Sequence, residues 1–191
     1  NTNMASILLK KNLPLVDPDK VILHLFLNDV ESISARTTNI FVKYSYLAAY
    51  LNLKLKRTIF NTKSSYNSIG EYYLGMYKDS NKGWIDAQNS IIKMSNLCKS
   101  KNIDFMVLIQ PDLHNLSYDS NQYKCHSIIK DFLDDNNIIY LDLFNAFAME
   151  LKDEPRNIWV NPDDQHPNAK GHRIIYNALN KFLLERNHFD E

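Results

Sequence analysis

The sequence predicts an α/β protein built on a doubly wound, mainly parallel sheet, and two observations support this fold class. Three runs of strand length, 21–26, 105–109 and 138–141, are almost entirely apolar, as strands buried on both faces of a parallel sheet are. The segments between and after these runs carry apolar residues at helical spacing. Strands that alternate with helices favour a sheet covered by helices on both faces. Ligands bind such sheets beyond the carboxyl ends of the strands, so functional side chains are expected in the loops there.

The helices follow in order along the chain. Apolar periodicity predicts helices over residues 3–12, 39–58, 68–78, 84–100 and 121–135, and a final helix from about Asn168. Pro14 is expected to close the first helix, because proline disrupts a helix interior. The final helix is the clearest, since its apolar residues form one stripe: Ile174, Ile175, Ala178, Leu179, Phe182 and Leu183. The tyrosines between residues 44 and 77 fit either an aromatic wall of a binding site or simple packing.

Length and composition favour one globular domain, 1–191, and exclude several classes of function. The chain has 191 residues, of which 45% are hydrophobic, enough for one sizeable core. Lys plus Arg and Asp plus Glu are both 22, so there is no basic surplus for nucleic acid. No apolar run approaches the ~20 residues of a membrane span. With 4 glycines, the chain has no Gly-rich phosphate loop. Cys98 and Cys125 fall in predicted helices and are expected to be buried or half-buried free thiols that bind no metal.

Two places carry residue types suited to acyl chemistry. Asn28-Asp29 directly follows the first predicted strand, and Asp163-x-x-His166 precedes the final helix. A carboxylate three positions before a histidine in a turn can reach Nδ1, which leaves Nε2 free as a general base. The Asn28 amide could donate to the oxyanion of a tetrahedral intermediate. Taken alone, both have simpler explanations, since Asn-Asp is a common turn former and Asp-x-x-His is an unspecific spacing.

Other polar residues are assigned mostly structural roles. Asp164 is the main rival for the carboxylate that orients His166, although its side chain is expected to point elsewhere, for example to a helix N-terminus. His24 lies in an apolar run and is expected to be a hydrogen-bonded core residue. His172, on the final helix, is also expected to be structural. His114 follows a strand end and fits either the wall of a substrate cleft or a surface loop. Pro167 is expected in the first turn of the final helix.

These residues together resemble the SGNH/GDSL hydrolase family. The segment 23–30, which contains Asn28-Asp29, resembles the family's third block, Gly-x-Asn-Asp. Asp163-x-x-His166, followed by Pro-Asn-Ala-Lys-Gly-His, resembles its fifth block. The resemblance implies a three-layer α/β/α fold with a flavodoxin-like, mainly parallel sheet. It also implies a metal-free and cofactor-free serine esterase, in which Asn28 is an oxyanion donor, Asp163 the orienting carboxylate and His166 the base.

The chain departs from the family pattern in two respects. Phe26 stands where the third block has glycine, and there is no Gly-Asp-Ser block. The resemblance therefore implies that the nucleophilic serine and the first strand of the sheet lie in a segment that precedes Asn1, joined covalently or packed as a separate piece. No serine in the chain is expected to replace it, because none follows a strand at a sharp turn: Ser32, Ser34, Ser64, Ser65 and Ser80.

The functional expectation is therefore hydrolysis of an ester, with a small acyl group on a carbohydrate or another small ester as substrate. Two alternatives remain. One is an O-acyltransferase that acts on a polysaccharide, and the other is a non-catalytic binding module with the same fold. The composition does not decide the cellular compartment.

Overall fold

The fold is a mixed α/β structure around a three-stranded parallel sheet. The computed structural model describes residues 1–31, 45–51, 54, 68–150 and 155–187. The sheet consists of β1 (Lys20–Phe26), β2 (Asp104–Gln110) and β3 (Ile139–Asp142), in the order β1-β2-β3. A separate antiparallel hairpin is formed by β4 (Trp159–Asn161) and β5 (Asp164–Pro167). The α-helices within the described ranges include α1 (Thr2–Val16), α2 (Ile69–Met76), α3 (Lys82–Lys99), α4 (Asn121–Asp135), α5 (Phe144–Glu150) and α6 (Ala169–Asn187). Short 3-10 helices span Leu27–Val30 and Pro155–Ile158.

Helices pack against both faces of the central strand β2. Successive side chains of a strand point to opposite faces, so Val107 and Ile109 enter one hydrophobic cluster and Leu108 enters another. The first cluster includes buried side chains of β1, α2, α3 and α4, among them Leu25, Trp84, Ile91 and Leu133. The second includes buried side chains from α5 and α6, among them Phe147, Ile174 and Ile175. Cys98 and Cys125 are free and buried in the first cluster, as predicted.

Strand β1 differs from the prediction because the described helices cover only one of its faces. Leu25 is fully buried on the face toward α3, whereas Ile22 on the other face is 37% exposed. The second cluster contains side chains of β2 and β3 but none of β1, so α5 and α6 do not cover β1 within the described part of the chain. His24 shares this open face and is exposed. The prediction that His24 lies in the core is therefore wrong, whereas the predicted hydrogen bond is present, since its Nε2 lies 3.3 Å from Gln110 Oε1.

Most helix positions agree with the periodicity, with two corrections. Helix α1 continues through Pro14 to Val16. Asp17 caps it with a left-handed φ of 45°, and its N–H donates to the Leu13 carbonyl oxygen at 3.2 Å. A proline in the last turn removes only one helical N–H donor, so it does not end the helix where predicted. Helix α5 (Phe144–Glu150), directly after the third strand, was not predicted. Most of the predicted helix 39–58 lies outside the described residues. None of the helices in the described ranges has the length and apolar character needed to span a bilayer.

A hydrogen bond between a histidine and an aspartate joins α4 to the end of β3. His126 is fully buried, and its Nδ1 lies 2.8 Å from Asp142 Oδ1. The same oxygen accepts the Phe144 N–H at 2.9 Å, and Lys130 Nζ lies 3.6 Å from Oδ2. Burial acts to raise the pKa of Asp142, but the hydrogen bond and charge of His126, the Phe144 N–H and Lys130 outweigh it and lower the pKa. The folded state therefore favours the ionised carboxylate.

We expect Asp142→Asn to lower the free energy of unfolding at pH 7 by about 1–3 kcal/mol, because a charge-assisted hydrogen bond is lost. The carboxylate stabilises the fold above its unfolded pKa, near 3.8, and this contribution is lost as the pH falls through the lower folded value. The difference in the free energy of unfolding between wild type and Asp142→Asn should therefore become smaller below about pH 4. Urea denaturation at a series of pH values measures this free-energy difference. Asp131→Asn, at an exposed position of α4, is the control. A difference that stays constant down to pH 2.5 would contradict this account.

Close contact between the hairpin and α6 depends on a glycine. A Cβ atom at Gly171 would lie 2.7 Å from the Pro167 Cβ and 3.3 Å from the Ile158 carbonyl oxygen. The first distance is shorter than non-bonded carbon atoms normally allow. Gly171 therefore lets α6 start directly against β5, the strand that carries His166.

Gly171→Ala should lower the free energy of unfolding by about 1–2 kcal/mol, because overpacking costs roughly 1–3 kcal/mol and exceeds the helix propensity gained. Urea denaturation followed by circular dichroism measures the change. Lys170→Ala, at the exposed neighbouring position, is the control and should shift stability by about 0.5 kcal/mol at most. A Gly171→Ala protein as stable as wild type would show that α6 and the hairpin are not in close contact.

Candidate functional site

A cavity of about 440 Å³ opens at the carboxyl ends of β1 and β2. This volume falls in the range of sites for small molecules. Its walls come from the ends of the two strands, from α2 and from the hairpin with the start of α6. The lining residues are His24, Phe26, Asn28, Asp29, Tyr73, Gln110, Pro111, Leu113, Gln165, His166, Pro167 and His172.

The first wall is the 3-10 helix that follows β1. Asp29 Oδ2 accepts the backbone N–H of Phe26 at 2.9 Å, so the chain turns sharply at the end of the strand. This turn leaves the Asn28 side chain exposed at the cavity. Within the described residues the Asn28 amide makes no hydrogen bond that would occupy it. The amide is therefore available to donate to a ligand.

The opposite wall is the β4–β5 hairpin, which the sequence analysis did not predict. Asn161 pairs with Asp164, so Pro162 and Asp163 form the turn between the strands. Asn168 joins the hairpin to α6. Its Nδ2 donates to the carbonyl oxygen of Trp159 at 2.9 Å, and its Oδ1 accepts N–H groups at the start of α6. The signal that could have indicated the hairpin is Asn161-Pro162-Asp163, a run of turn formers between short segments.

The carboxylate that contacts His166 is Asp164 and not Asp163. Asp164 Oδ1 lies 2.5 Å from His166 Nδ1 and also accepts the His166 N–H at 3.0 Å. Residues two apart on a strand share a face, which brings Asp164 and His166 together in β5. Asp163 lies in the hairpin turn, where its N–H donates to Asn161 Oδ1 at 2.9 Å. The expected Asp163–His166 contact is therefore wrong. Pro167, expected in the first helical turn, is instead the last residue of β5.

The Asp164 carboxylate orients the His166 ring but contributes little to the stability of the fold. The hydrogen bonds from His166 lower the pKa of Asp164. The side chains are 82% exposed at His166 and 41% exposed at Asp164, so solvent screens their attraction. With Nδ1 bound to the carboxylate, Nε2 is the ring nitrogen left for chemistry.

The structure brings Asn28 and His166 to the same cavity, although they lie near opposite ends of the sequence. His172 and His24, both expected to be structural, also line it. Asp163 does not. Of the tyrosines between 44 and 77, Tyr73 lines the cavity, and Tyr44 and Tyr66 lie outside the described residues.

Behind the cavity lies a second Asp–His pair that the sequence analysis missed. Asp112 is fully buried, and its Oδ1 lies 3.0 Å from His114 Nδ1 and accepts the His114 N–H at 2.8 Å. The His114 ring packs edge-on against Trp159, with centroids 5.2 Å apart. His114 therefore lines no part of the cavity. Burial, and then the neighbouring carboxylate of Asp112, raise the pKa of Tyr73, so its phenol stays neutral.

A nucleophile is missing from the described cavity wall. Its lining side chains include no serine, threonine or cysteine. Ser80 is exposed in a turn away from the cavity, and Ser32, Ser34, Ser64 and Ser65 lie outside the described residues. Burial raises the pKa of the Cys125 thiol to about 12, which makes it a poor nucleophile. Within the same ranges, no group of three or more His, Cys, Asp or Glu side chains is arranged to hold a metal ion.

Searches of protein-family models and of curated proteins found no match to this chain.

We expect Asp164→Asn to change the tautomer balance of His166, whereas Asp163→Asn should leave it unchanged. Only the Asp164 carboxylate touches Nδ1, and a carboxylate there favours the tautomer protonated at Nδ1. The ¹⁵N chemical shifts of the two ring nitrogens report this balance directly. The two variants remove the same charge one residue apart, so each controls for the other. An equal response to both would contradict the Asp164 assignment.

Proposed function

We propose that the cavity is the active site of a serine-dependent ester hydrolase of the SGNH/GDSL type. The observation that carries the proposal is that Asn28 and His166 line one cavity at the carboxyl ends of the strands. An amide donor and an oriented imidazole are two of the groups that acyl transfer needs. The sequence blocks around them resemble those of the family in the same order.

In the proposed mechanism, His166 Nε2 accepts the proton of a serine hydroxyl as the serine oxygen attacks the ester carbonyl. Asp164 holds Nδ1 and stabilises the imidazolium that forms. The Asn28 amide donates to the oxyanion of the tetrahedral intermediate. His166 then returns the proton to the leaving alcohol. A water molecule, activated by the same imidazole, releases the acid and restores the serine.

The serine is proposed to come from a strand that pairs with the outer edge of β1. Among the described strands, β1 pairs only with β2, which leaves its other edge with unpaired backbone groups. Ile22 and His24, exposed on the open face of β1, mark a surface that a further strand and its helix would cover. A strand at this edge would end beside Asn28. The serine would then be within reach of His166 across the cavity.

The proposed substrate is a small ester, with a short acyl group on a carbohydrate or another small alcohol. A cavity of about 440 Å³ suits such a ligand. The second candidate function is a non-catalytic binding module. It is favoured by the absence of serine, threonine and cysteine from the described cavity lining.

The proposal predicts that the 191-residue chain alone does not hydrolyse p-nitrophenyl acetate, and that the chain joined to a preceding Gly-Asp-Ser strand does. In the joined protein, Asn28→Ala should lower kcat by about 10²–10³-fold, because one oxyanion donor is lost. His166→Ala should lower kcat by at least about 10²-fold, because the general base is lost. Asp164→Asn should also lower kcat, and Asp163→Asn is the matched control that should not.

Hydrolysis by the 191-residue chain that disappears in His166→Ala would show that the serine lies within the chain. Hydrolysis by the joined protein that survives His166→Ala would sink the proposed mechanism. The binding module is supported instead by two observations together. The preceding sequence carries another residue at the serine position, and small esters bind to the cavity without being hydrolysed.

A further inference from the structure

The side chain of Gln110 is a buried amide in the wall of the cavity. Gln110 is the last residue of β2, and its side chain lines the cavity although the residue is only 5% exposed. An amide has two N–H donors and a carbonyl oxygen that accepts, and burial makes each unsatisfied donor or acceptor costly. The hydrogen bonds that the amide makes within the protein therefore decide what it can offer to a ligand.

Two neighbours fix the direction in which the Gln110 amide faces. Its Nε2 donates to the Pro111 carbonyl oxygen at 3.4 Å, and its Oε1 lies 3.3 Å from His24 Nε2. The reversed amide would place its oxygen against the Pro111 oxygen, and two carbonyl oxygens can only accept. Because Oε1 cannot donate, the His24 nitrogen beside it carries the proton, whether the ring is neutral or charged. The contact therefore holds in both protonation states of His24.

The register of β1 and β2 explains why His24 reaches this amide. His24 lies opposite Leu108, and Gln110 is two residues farther along the same strand, so both side chains point to the same face of the sheet. His24 is exposed on this face, which leaves its ring free to lie across the neighbouring strand. Both contacts of the amide are longer than most N–H···O hydrogen bonds. The amide therefore keeps the capacity to bind a further group.

One N–H of Gln110 has no acceptor within the described part of the chain. The amide nitrogen carries two protons, and the Pro111 oxygen takes one of them. No other acceptor contacts Nε2 among the described residues. Since the side chain is buried and lines the cavity, an oxygen atom of a bound ligand can supply the missing acceptor.

The position of Gln110 indicates which part of an ester it contacts. Asn28, after β1, is the proposed donor to the ester carbonyl, and the proposed serine strand pairs with the outer edge of β1. Gln110 lies on β2, on the other side of β1 from that edge and about 5 Å farther across the sheet. It is therefore placed to contact an oxygen other than the ester carbonyl. A short acyl group has no such oxygen, so the oxygen belongs to the alcohol part.

We propose that Gln110 donates a hydrogen bond to an ether or hydroxyl oxygen in the alcohol part of the ester, and that His24 is the positioning residue that holds the amide. This inference rests on the proposed function for the identity of the ligand as an ester. It narrows the substrate class to esters whose alcohol carries further oxygen atoms, as a carbohydrate does. An ester of an alkyl alcohol would leave the buried N–H without an acceptor.

The test compares methoxyethyl acetate with butyl acetate, which differ by an ether oxygen in place of one methylene group. NMR titration of the 191-residue chain measures binding without turnover, so the result does not depend on a nucleophile. Gln110→Met keeps the length of the side chain and removes its polar atoms. This variant should shift the ratio of the two dissociation constants by about three- to tenfold toward butyl acetate, the value of one neutral hydrogen bond.

The amide protons of Gln110 report the contact directly in the wild-type protein. Methoxyethyl acetate should move one of the two side-chain protons downfield, because a hydrogen bond to oxygen deshields the proton. The other proton, which bonds to Pro111, should move less, and butyl acetate should leave both nearly unchanged. This measurement needs no variant, so it decides the inference if Gln110→Met does not fold.

Gln122→Met is the matched control. Gln122 lies on α4, is also 5% exposed, and does not line the cavity. The same substitution at this position should keep the wild-type ratio of dissociation constants. Urea denaturation of both variants separates loss of selectivity from loss of stability.

Two variants of His24 test its positioning role. His24→Phe keeps a ring but removes the N–H, so only the Pro111 contact still holds the Gln110 amide. The ratio of dissociation constants should shift in the same direction as in Gln110→Met, but by less. His24→Gln, whose side chain can again donate an N–H to Gln110 Oε1, should restore the ratio. A residue that only stabilised the strand would change the midpoint of urea unfolding without changing this ratio.

The inference would be overturned by a ratio that Gln110→Met leaves unchanged, by an equal shift in Gln122→Met, or by no binding of either ester to wild type. A ratio that stays at the wild-type value in His24→Phe would overturn the positioning role of His24. Failure of the proposed function has a different signature, namely the absence of His166-dependent turnover in the joined protein. The ratio of dissociation constants would then still decide the role of Gln110.

Discussion

The fold depends on the parallel pairing of β1 with β2 along seven residues, from Lys20 opposite Asp104 to Phe26 opposite Gln110. Because the register is continuous, both strands end at the same level, and the residues that follow them open onto one cavity. The same register aligns the side chains of the two strands on each face, so Leu25 and Ile109 enter one core together. A slip of one residue would turn these side chains to the opposite face and separate the groups at the strand ends.

The backbone of the β4–β5 hairpin likewise fixes the position of side chains at the cavity. Alternation along β5 places the Asp164 and His166 side chains together, and Asn168 joins the strand pair to α6. Since His166 is 82% exposed, its position comes from the backbone of the hairpin and not from side-chain burial. Gly171 allows the helix to approach this backbone closely. Packing beneath the hairpin is therefore coupled to the placement of the imidazole above it.

Two carboxylates near the carboxyl ends of the strands, the half-buried Asp142 and the fully buried Asp112, differ in the hydrogen bonds that they accept. Asp142 is held by His126 Nδ1, the Phe144 N–H and Lys130, and the net effect is a lowered pKa. Asp112 is held by His114 on one oxygen only, and its other oxygen stays without a partner behind the cavity wall. The Asp142–His126 pair joins two elements of the fold, α4 and β3.

The sequence by itself determined the local elements of this protein. The apolar runs located β1, β2 and β3, and helical periodicity located α2, α3, α4 and α6 to within a few residues, because each pattern reflects the burial of one segment's own side chains. It also singled out Asn28 and His166, which share the cavity. Only the tertiary structure decided that one face of β1 is open, that Asp164 replaces Asp163 beside His166, and that Tyr73 lies at the cavity. These depend on which distant segments pack against each other, and local periodicity carries no information about that choice.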